Sequence, residues 1–249
     1  MLDALQFPLL KIFWKRQIVQ DSTDNQTPDY SKLERHFGTD WQGLVRNFIV
    51  ADFGCGYANQ AIEMAAAGAK KVYGIEVSEG QLRVARTNIA AAGLDDSVIL
   101  IHDPNDLPEL VDCVFSFDAF EHFDDPDGIL RTMHRILKPG GRLYISFGPT
   151  WMHPLGGHAF SAFPWAHLLL SEKALVTWRN LYYPGRSDSF LGSGLNKMSI
   201  RRFSQLCEQS DLRAERITLI PIKRLRFLHT RLTQEWTTSV VHAVLQKPF

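Results

Sequence analysis

The sequence predicts an α/β protein with a seven-stranded, mostly parallel sheet, helices on both faces and one antiparallel edge strand. Three observations carry that prediction. Runs rich in β-branched and aromatic residues alternate with amphipathic stretches of helical period. The runs are apolar throughout, as in strands covered on both faces, rather than alternating in polarity. The chain has 249 residues, 45% apolar and 22% charged, enough to bury one full core in a single large domain.

Each element has its own warrant. The first strand is expected over residues 48–53, running into Gly54 and Gly56, with a helix over 60–67 behind it. A strand at 72–76 is followed by a helix at 79–92 that Gly93 stops, and then by strands at 98–102 and 111–117. Asp125 caps the next helix, Pro126 suits its first turn, and Ile129, Met133 and Ile136 share one face. Lys138-Pro139-Gly140-Gly141 should end that helix, and residues 142–147 return as a strand. Residues 148–198 then break the rhythm: they are long, aromatic and histidine-bearing, with one helix expected over 165–179. Such a segment reads as a lid or acceptor-binding insertion. A helix at 199–209 and strands at 217–222 and 237–245 follow, the last being the expected antiparallel edge strand. This domain, 31–249, is preceded by a helical extension over 1–30 whose polar stretch 21–28 acts as a separator.

Composition narrows the function. Lys+Arg and Asp+Glu both number 27, so the basic excess that binds nucleic acid is missing. Cys55, Cys113 and Cys207 form neither a C-x-x-C pair nor a metal spacing, which indicates a reducing compartment. The apolar first ten residues lack a basic leader and an A-x-A site, and are too short to span a bilayer. A cytoplasmic protein is expected, with a leading helix that is packed or interfacial. Nothing in the sequence fixes an oligomeric state.

Val50-Ala51-Asp52-Phe53-Gly54-Cys55-Gly56-Tyr57-Ala58-Asn59 carries the strongest signal. A strand enters a glycine turn and then a helix, which lets backbone N–H groups approach a ligand. The dinucleotide pattern G-x-G-x-x-G/A fails at Asn59. With its acid two positions before G-x-G, this loop resembles the first motif of the class I S-adenosylmethionine-dependent methyltransferases. The resemblance continues in order along the chain. The segment from Val72 to Ser78 is similar to the second motif, with Glu76 as its acid. His102-Asp103-Pro104-Asn105-Asp106-Leu107-Pro108 resembles the adenine-contacting stretch. The segment from Val111 to His122 resembles the fourth-strand motif, and Arg135-Ile136-Leu137-Lys138-Pro139-Gly140-Gly141 the turn before the fifth strand. One departure is Ala58, where the family has a third glycine; its methyl group fits if φ is negative.

The resemblance implies a Rossmann-like fold, the cofactor S-adenosyl-L-methionine and the product S-adenosyl-L-homocysteine. It implies cofactor contacts from Asp52, Gly54, Cys55, Gly56, Glu76, Val77, Asp103, Pro104, Phe117 and Asp118. Glu76 can accept both ribose hydroxyls, and Asp103 can take the adenine amino group beside the Pro104 backbone. Bland roles stand beside these: Asp52 can cap the turn that follows it, Asp103 can initiate a turn, and Cys55 can fill the loop.

Methyl transfer to a hydroxyl needs an oriented acceptor, water exclusion and a base. His158 is the first candidate base and His153 the second, since imidazole titrates near neutrality. Gly156-Gly157 would turn the backbone and present His158 inward; anchoring a loop is the competing role for either histidine. Asp118, Glu121 and His122 resemble a stretch that holds a divalent metal in some quinone-biosynthetic O-methyltransferases. Metal-free members of the family also carry such residues, so no metal is assigned. Phe160, Phe163, Trp165, Trp178, Tyr182, Tyr183 and Phe190 suit an apolar or ring-containing small-molecule acceptor. Membrane association through the amphipathic stretch 164–179 competes with this and is not favoured, because basic residues are sparse there. The alternatives in function are a carbon or nitrogen methyltransferase and a non-catalytic cofactor-binding protein of the same fold.

Overall fold

The computed structural model describes residues 7–12, 31–182 and 188–249. The polar stretch 21–28, most of the leading extension and Tyr183 lie outside the described residues. The sheet comprises β1 (Ile49–Phe53), β2 (Lys71–Ile75), β3 (Val98–Ile101), β4 (Val111–Phe117), β5 (Leu137–Phe147), β6 (Arg213–Pro221) and β7 (Thr238–Gln246). Their spatial order is β3-β2-β1-β4-β5-β7-β6. β1 to β5 pair in parallel, and β7 runs antiparallel to both β5 and β6.

Among the described residues the α-helices are α1 (Phe7–Ile12), α2 (Lys32–Phe37), α3 (Asn59–Ala66), α4 (Glu79–Ala92), α5 (Pro126–Ile136), α6 (Ala166–Leu169), α7 (Glu172–Tyr182), α8 (Ile200–Gln209) and α9 (Gln234–Thr237). Alternate strand residues feed two cores, one on each face of the sheet. Ala51, Phe53, Val114 and Ile145 pack with Leu130 and Met133 of α5 and Phe203 of α8. Val50, Val72, Cys113 and Phe115 pack on the other face with Leu33 of α2, Met64 of α3 and Ile89 of α4. β1 is buried at all five positions, which explains why it is apolar apart from Asp52. A third core joins Leu10 of α1 to Phe160, Leu175, Trp178 and Phe190. The leading helix thus packs on the insertion, with the Phe7 and Trp178 rings 5.6 Å apart.

Three expectations change in detail. The antiparallel strand is the last in sequence, as expected, but it lies one place in from the edge, and β6 takes the edge. The Lys138–Gly141 turn is absorbed into β5 as an irregularity beside β4. A Cβ on Gly141 would lie 2.9 Å from the Asp112 and Lys138 carbonyl oxygens, so the bulge needs glycine there. The helix expected over 165–179 is two helices, α6 and α7, parted at Leu170 and Ser171. Ser171 Oγ accepts the Ala174 N–H at 3.2 Å and so starts α7 afresh.

Candidate active site

The strand order reverses between β1 and β4, so a crevice opens beyond the carboxyl ends of these central strands. The sequence places Asp52 on β1 and the glycine loop just after it. Gly54 and Gly56 have φ of +80° and +54°, as a tight turn requires. Ala58 also has a positive φ, +64°, contrary to the negative value expected of it. The turn into α3 demands the left-handed conformation whichever residue stands there, and Ala58 is held in it by complete burial.

Asp52 is 2% exposed, and its Oδ2 meets no hydrogen-bond partner among the described residues. Burial lifts its carboxyl to about 7; the Lys32 ammonium and the Ala61 N–H pull the other way, and Glu76 adds to the lift. The Ala61 bond is a cap for α3, whose own N-cap residue, Ala58, makes no side-chain cap bond. Glu76 Oε2 accepts the Gly56 N–H at 3.1 Å and its Oε1 accepts the Ser78 N–H at 2.8 Å. Each oxygen keeps capacity to accept another donor.

The Gly54 and Cys55 N–H groups both donate to the Ile75 carbonyl, at 2.9 and 3.0 Å. Cys55 is buried, its Sγ lies 3.0 Å from where a Gly74 Cβ would stand, and burial pushes its thiol up. Its side chain therefore spaces β1 from β2. Val77, 74% exposed, follows Glu76 at the tip of β2. Asp103 Oδ1 accepts from Asn105 twice, through the backbone N–H at 2.8 Å and Nδ2 at 2.7 Å, and so fixes the short turn at Pro104.

On the other side of the loop, Phe117 is buried at the end of β4 and stacks on His36 with centroids 6.0 Å apart. Asp118, at φ +49°, accepts from Lys32 Nζ at 2.7 Å. His36 Nδ1 shares a proton with His242 Nε2 at 2.7 Å, and its Nε2 lies 3.9 Å from Asp118. Burial drives the His36 imidazole down to about 4, against the pull of Asp118.

A model of the family described as "Methyltransferase domain" matches residues 51–145. The chain is 37% identical over 101 residues to "Methyltransferase GfsG" of Streptomyces halstedii, a stretch covering 39% of this chain and 36% of that protein. It is 35% identical over 100 residues to "Ubiquinone biosynthesis O-methyltransferase" of Pseudomonas syringae pv. tomato, covering 39% and 43%. A solved S-adenosylmethionine-dependent methyltransferase of Mesorhizobium loti superposes with a TM-score of 0.55 at 18% identity, over 83% of this chain and 97% of that one. Residues 51–145 thus match a methyltransferase domain, and the fold is that of a solved S-adenosylmethionine-dependent methyltransferase. The chain spans well under half the length of these curated relatives.

The methyltransferase domain holds every expected cofactor contact from Asp52 to Asp118 on the tips of β1 to β4. The expected bases lie beyond it, in the insertion. Glu121, 3% exposed, accepts the Gly148 N–H at 3.0 Å through Oε1, and its Oε2 meets no partner among the described residues. Burial raises its carboxyl to about 8. Glu121, Trp151, His158 and Lys197 line one small pocket beneath the insertion. His158 is half-buried, and its imidazole is pushed down to about 3 by burial and then by His122, whose ring lies 5.3 Å away. His153 Nδ1 accepts the Leu155 N–H at 2.9 Å, a loop-anchoring bond, and burial lowers it to about 4. Gly156 and Gly157 serve close packing rather than a left-handed turn. A Cβ on the first would meet the Trp151 carbonyl at 2.3 Å, and one on the second would meet His167 at 2.8 Å. The left-handed residue is His158 itself, at φ +50°.

Asp118, Glu121 and His122 diverge towards Lys32, Gly148 and the Gly194 carbonyl. Among the described residues, no three His, Cys, Asp or Glu side chains are grouped to hold a metal ion. Sequence reasoning missed Lys32 and His36. The available signal was Ser31-Lys32-Leu33-Glu34, a capping box whose Ser31 Oγ accepts the Glu34 N–H at 3.0 Å.

Proposed function

We propose that this chain moves a methyl group from S-adenosylmethionine to a hydroxyl oxygen of a small, ring-containing acceptor. The observation that carries the cofactor half is the pair of carboxylates flanking the glycine turn at the strand reversal, one with a buried unpartnered oxygen. The bound cofactor supplies an electrophilic methyl group on a sulfonium. Glu76 accepts from the ribose hydroxyls with the lone pairs that Gly56 and Ser78 leave free. Val77 and Pro104 offer apolar contact to the base, and Asp103 accepts from its amino group. Asp52 attracts the tail's ammonium, and Lys32 attracts its carboxylate. Gly54 and Gly56 allow close approach, Cys55 contributes its peptide, and the Phe117–Asp118 turn walls the methyl side.

The acceptor half rests on Glu121 and His158 lining the same crevice, which is too tight for a water molecule in this structure and has to widen to admit an acceptor. His158 is neutral at physiological pH and so able to accept a hydroxyl proton. His153 is the second choice, because its Nδ1 is engaged by Leu155. The relative named as an O-methyltransferase supports oxygen as the atom methylated. Three buried free cysteines support a reducing, cytoplasmic setting, and no described helix is long and apolar enough to cross a membrane.

The test uses labelled methyl donor and a panel of phenolic acceptors. His158→Asn should lower kcat on the order of 10²–10⁴-fold and leave the calorimetric affinity for S-adenosylhomocysteine unchanged. Full turnover by the variant would remove the base. Absence of heat with either form of the cofactor would remove methyl transfer altogether.

A further inference from the structure

β6 runs parallel to β1–β5, so the connection from β6 to β7 emerges on the same sheet edge as the glycine loop and the insertion. This connection concentrates charge in a chain that is neutral overall. Between Arg216 and Glu235 it carries Lys223, Arg224, Arg226 and Arg231 with no Asp or Glu. All four are exposed, and none forms an ion pair among the described residues. Glu235, the first acid beyond them, is already engaged: its carboxylate accepts the Ile200 and Arg201 N–H groups at 3.2 and 2.7 Å.

Interleaved with these cations are side chains that water does not favour. Phe227 is 80% exposed, Leu232 93%, Leu228 46% and Trp236 44%. The patch meets the insertion, since the Trp236 and Trp165 rings lie 6.5 Å apart. Leu169, at the end of the short helix that follows Trp165, is itself 67% exposed. By contrast, the stretch read from the sequence as the amphipathic membrane candidate turns Leu175 and Trp178 into the insertion's own core.

We propose that the β6–β7 connection is a docking surface for an anionic lipid bilayer. Cationic heads beside protruding aliphatic and aromatic tips match headgroup phosphates above acyl chains. A nucleic-acid backbone would use the cations and the aromatic rings but would leave Leu228 and Leu232 in water. The surface stands independently of the reaction, because none of its residues belongs to the cofactor or acceptor site.

The experiment is co-sedimentation of the full chain with vesicles. Pelleting is expected with mixed phosphatidylcholine and phosphatidylglycerol but not with phosphatidylcholine alone, and it should weaken as salt rises. Arg224→Gln with Arg226→Gln should lower the partition coefficient about thirtyfold. Phe227→Ser with Leu232→Ser should abolish pelleting and leave the circular dichroism and the heat of S-adenosylhomocysteine binding unchanged. Three results would each overturn the proposal: no pelleting with the mixed vesicles, equal pelleting on both kinds, or single-stranded RNA displacing the protein from the vesicles.

Discussion

Asp52 sits between a buried strand and a glycine turn with its carboxyl near neutrality. A cation placed beside it favours the ionised form, so binding below about pH 7 must expel a proton. Affinity for S-adenosylmethionine should therefore climb with pH up to about 7, by at most about tenfold per unit, and level off above it. Calorimetry at pH below neutrality, in buffers of different ionisation enthalpy, reads the proton directly, and Asp52→Asn should flatten the profile. The acids and glycines of this turn were legible because their spacing is the chemistry. The sign of φ at Ala58 was not, since the same letters fit either hand and only the path into the following helix decides. Lys32 escaped for a related reason: its partner, Asp118, is 86 positions away, and no local pattern joins them.

Short elements fail or hold by their ends. α2 has six residues, too few for propensity to sustain it alone, and it carries both Lys32 and His36. Ser31 caps it and also hydrogen-bonds Glu63 of α3. Ser31→Ala should cost about 1 kcal/mol in urea unfolding and weaken S-adenosylhomocysteine binding through Lys32. If unfolding shifts and affinity does not, Lys32 plays no part in binding. The insertion shows the opposite lesson. Its apolar period runs on across Leu170 and Ser171, so periodicity alone merged two helices; the serine three residues before Ala174 was the break to notice. The long strand β5 likewise swallowed a turn because its partner strand, β4, pulls Leu137 into pairing with Val111.

Across the whole molecule, buried titratable groups pull stability in two directions. Asp52 and Glu121 hold their protons more tightly when folded, at about 7 and 8. Their contribution is complete at low pH and is lost as pH rises through those values. His36, His153 and His158 are held neutral down to about 4, 4 and 3, so their contribution is present above 6.5 and is lost on acidification. Above 6.5 only the carboxyls act, and Tm should decline between pH 6.5 and 8. Glu121→Gln should recover roughly 2–4 °C of that decline in differential scanning calorimetry. The parallel core was readable because each strand is apolar on both faces. The place of the last strand was not, because its composition suits an edge or an interior position equally.

That place bears on synthesis. The chain's final strand, ending at Gln246, is wedged between β5 and β6. While a ribosome is still elongating the protein, the flanks of those two strands that will face each other across the gap stay bare, with hydrogen-bonding groups open to any passing polypeptide. Emergence of β7 from the exit tunnel, rather than translation of the cofactor half, is the event that seals the sheet, and nascent chains stalled shortly before it are the ones that should need chaperones most.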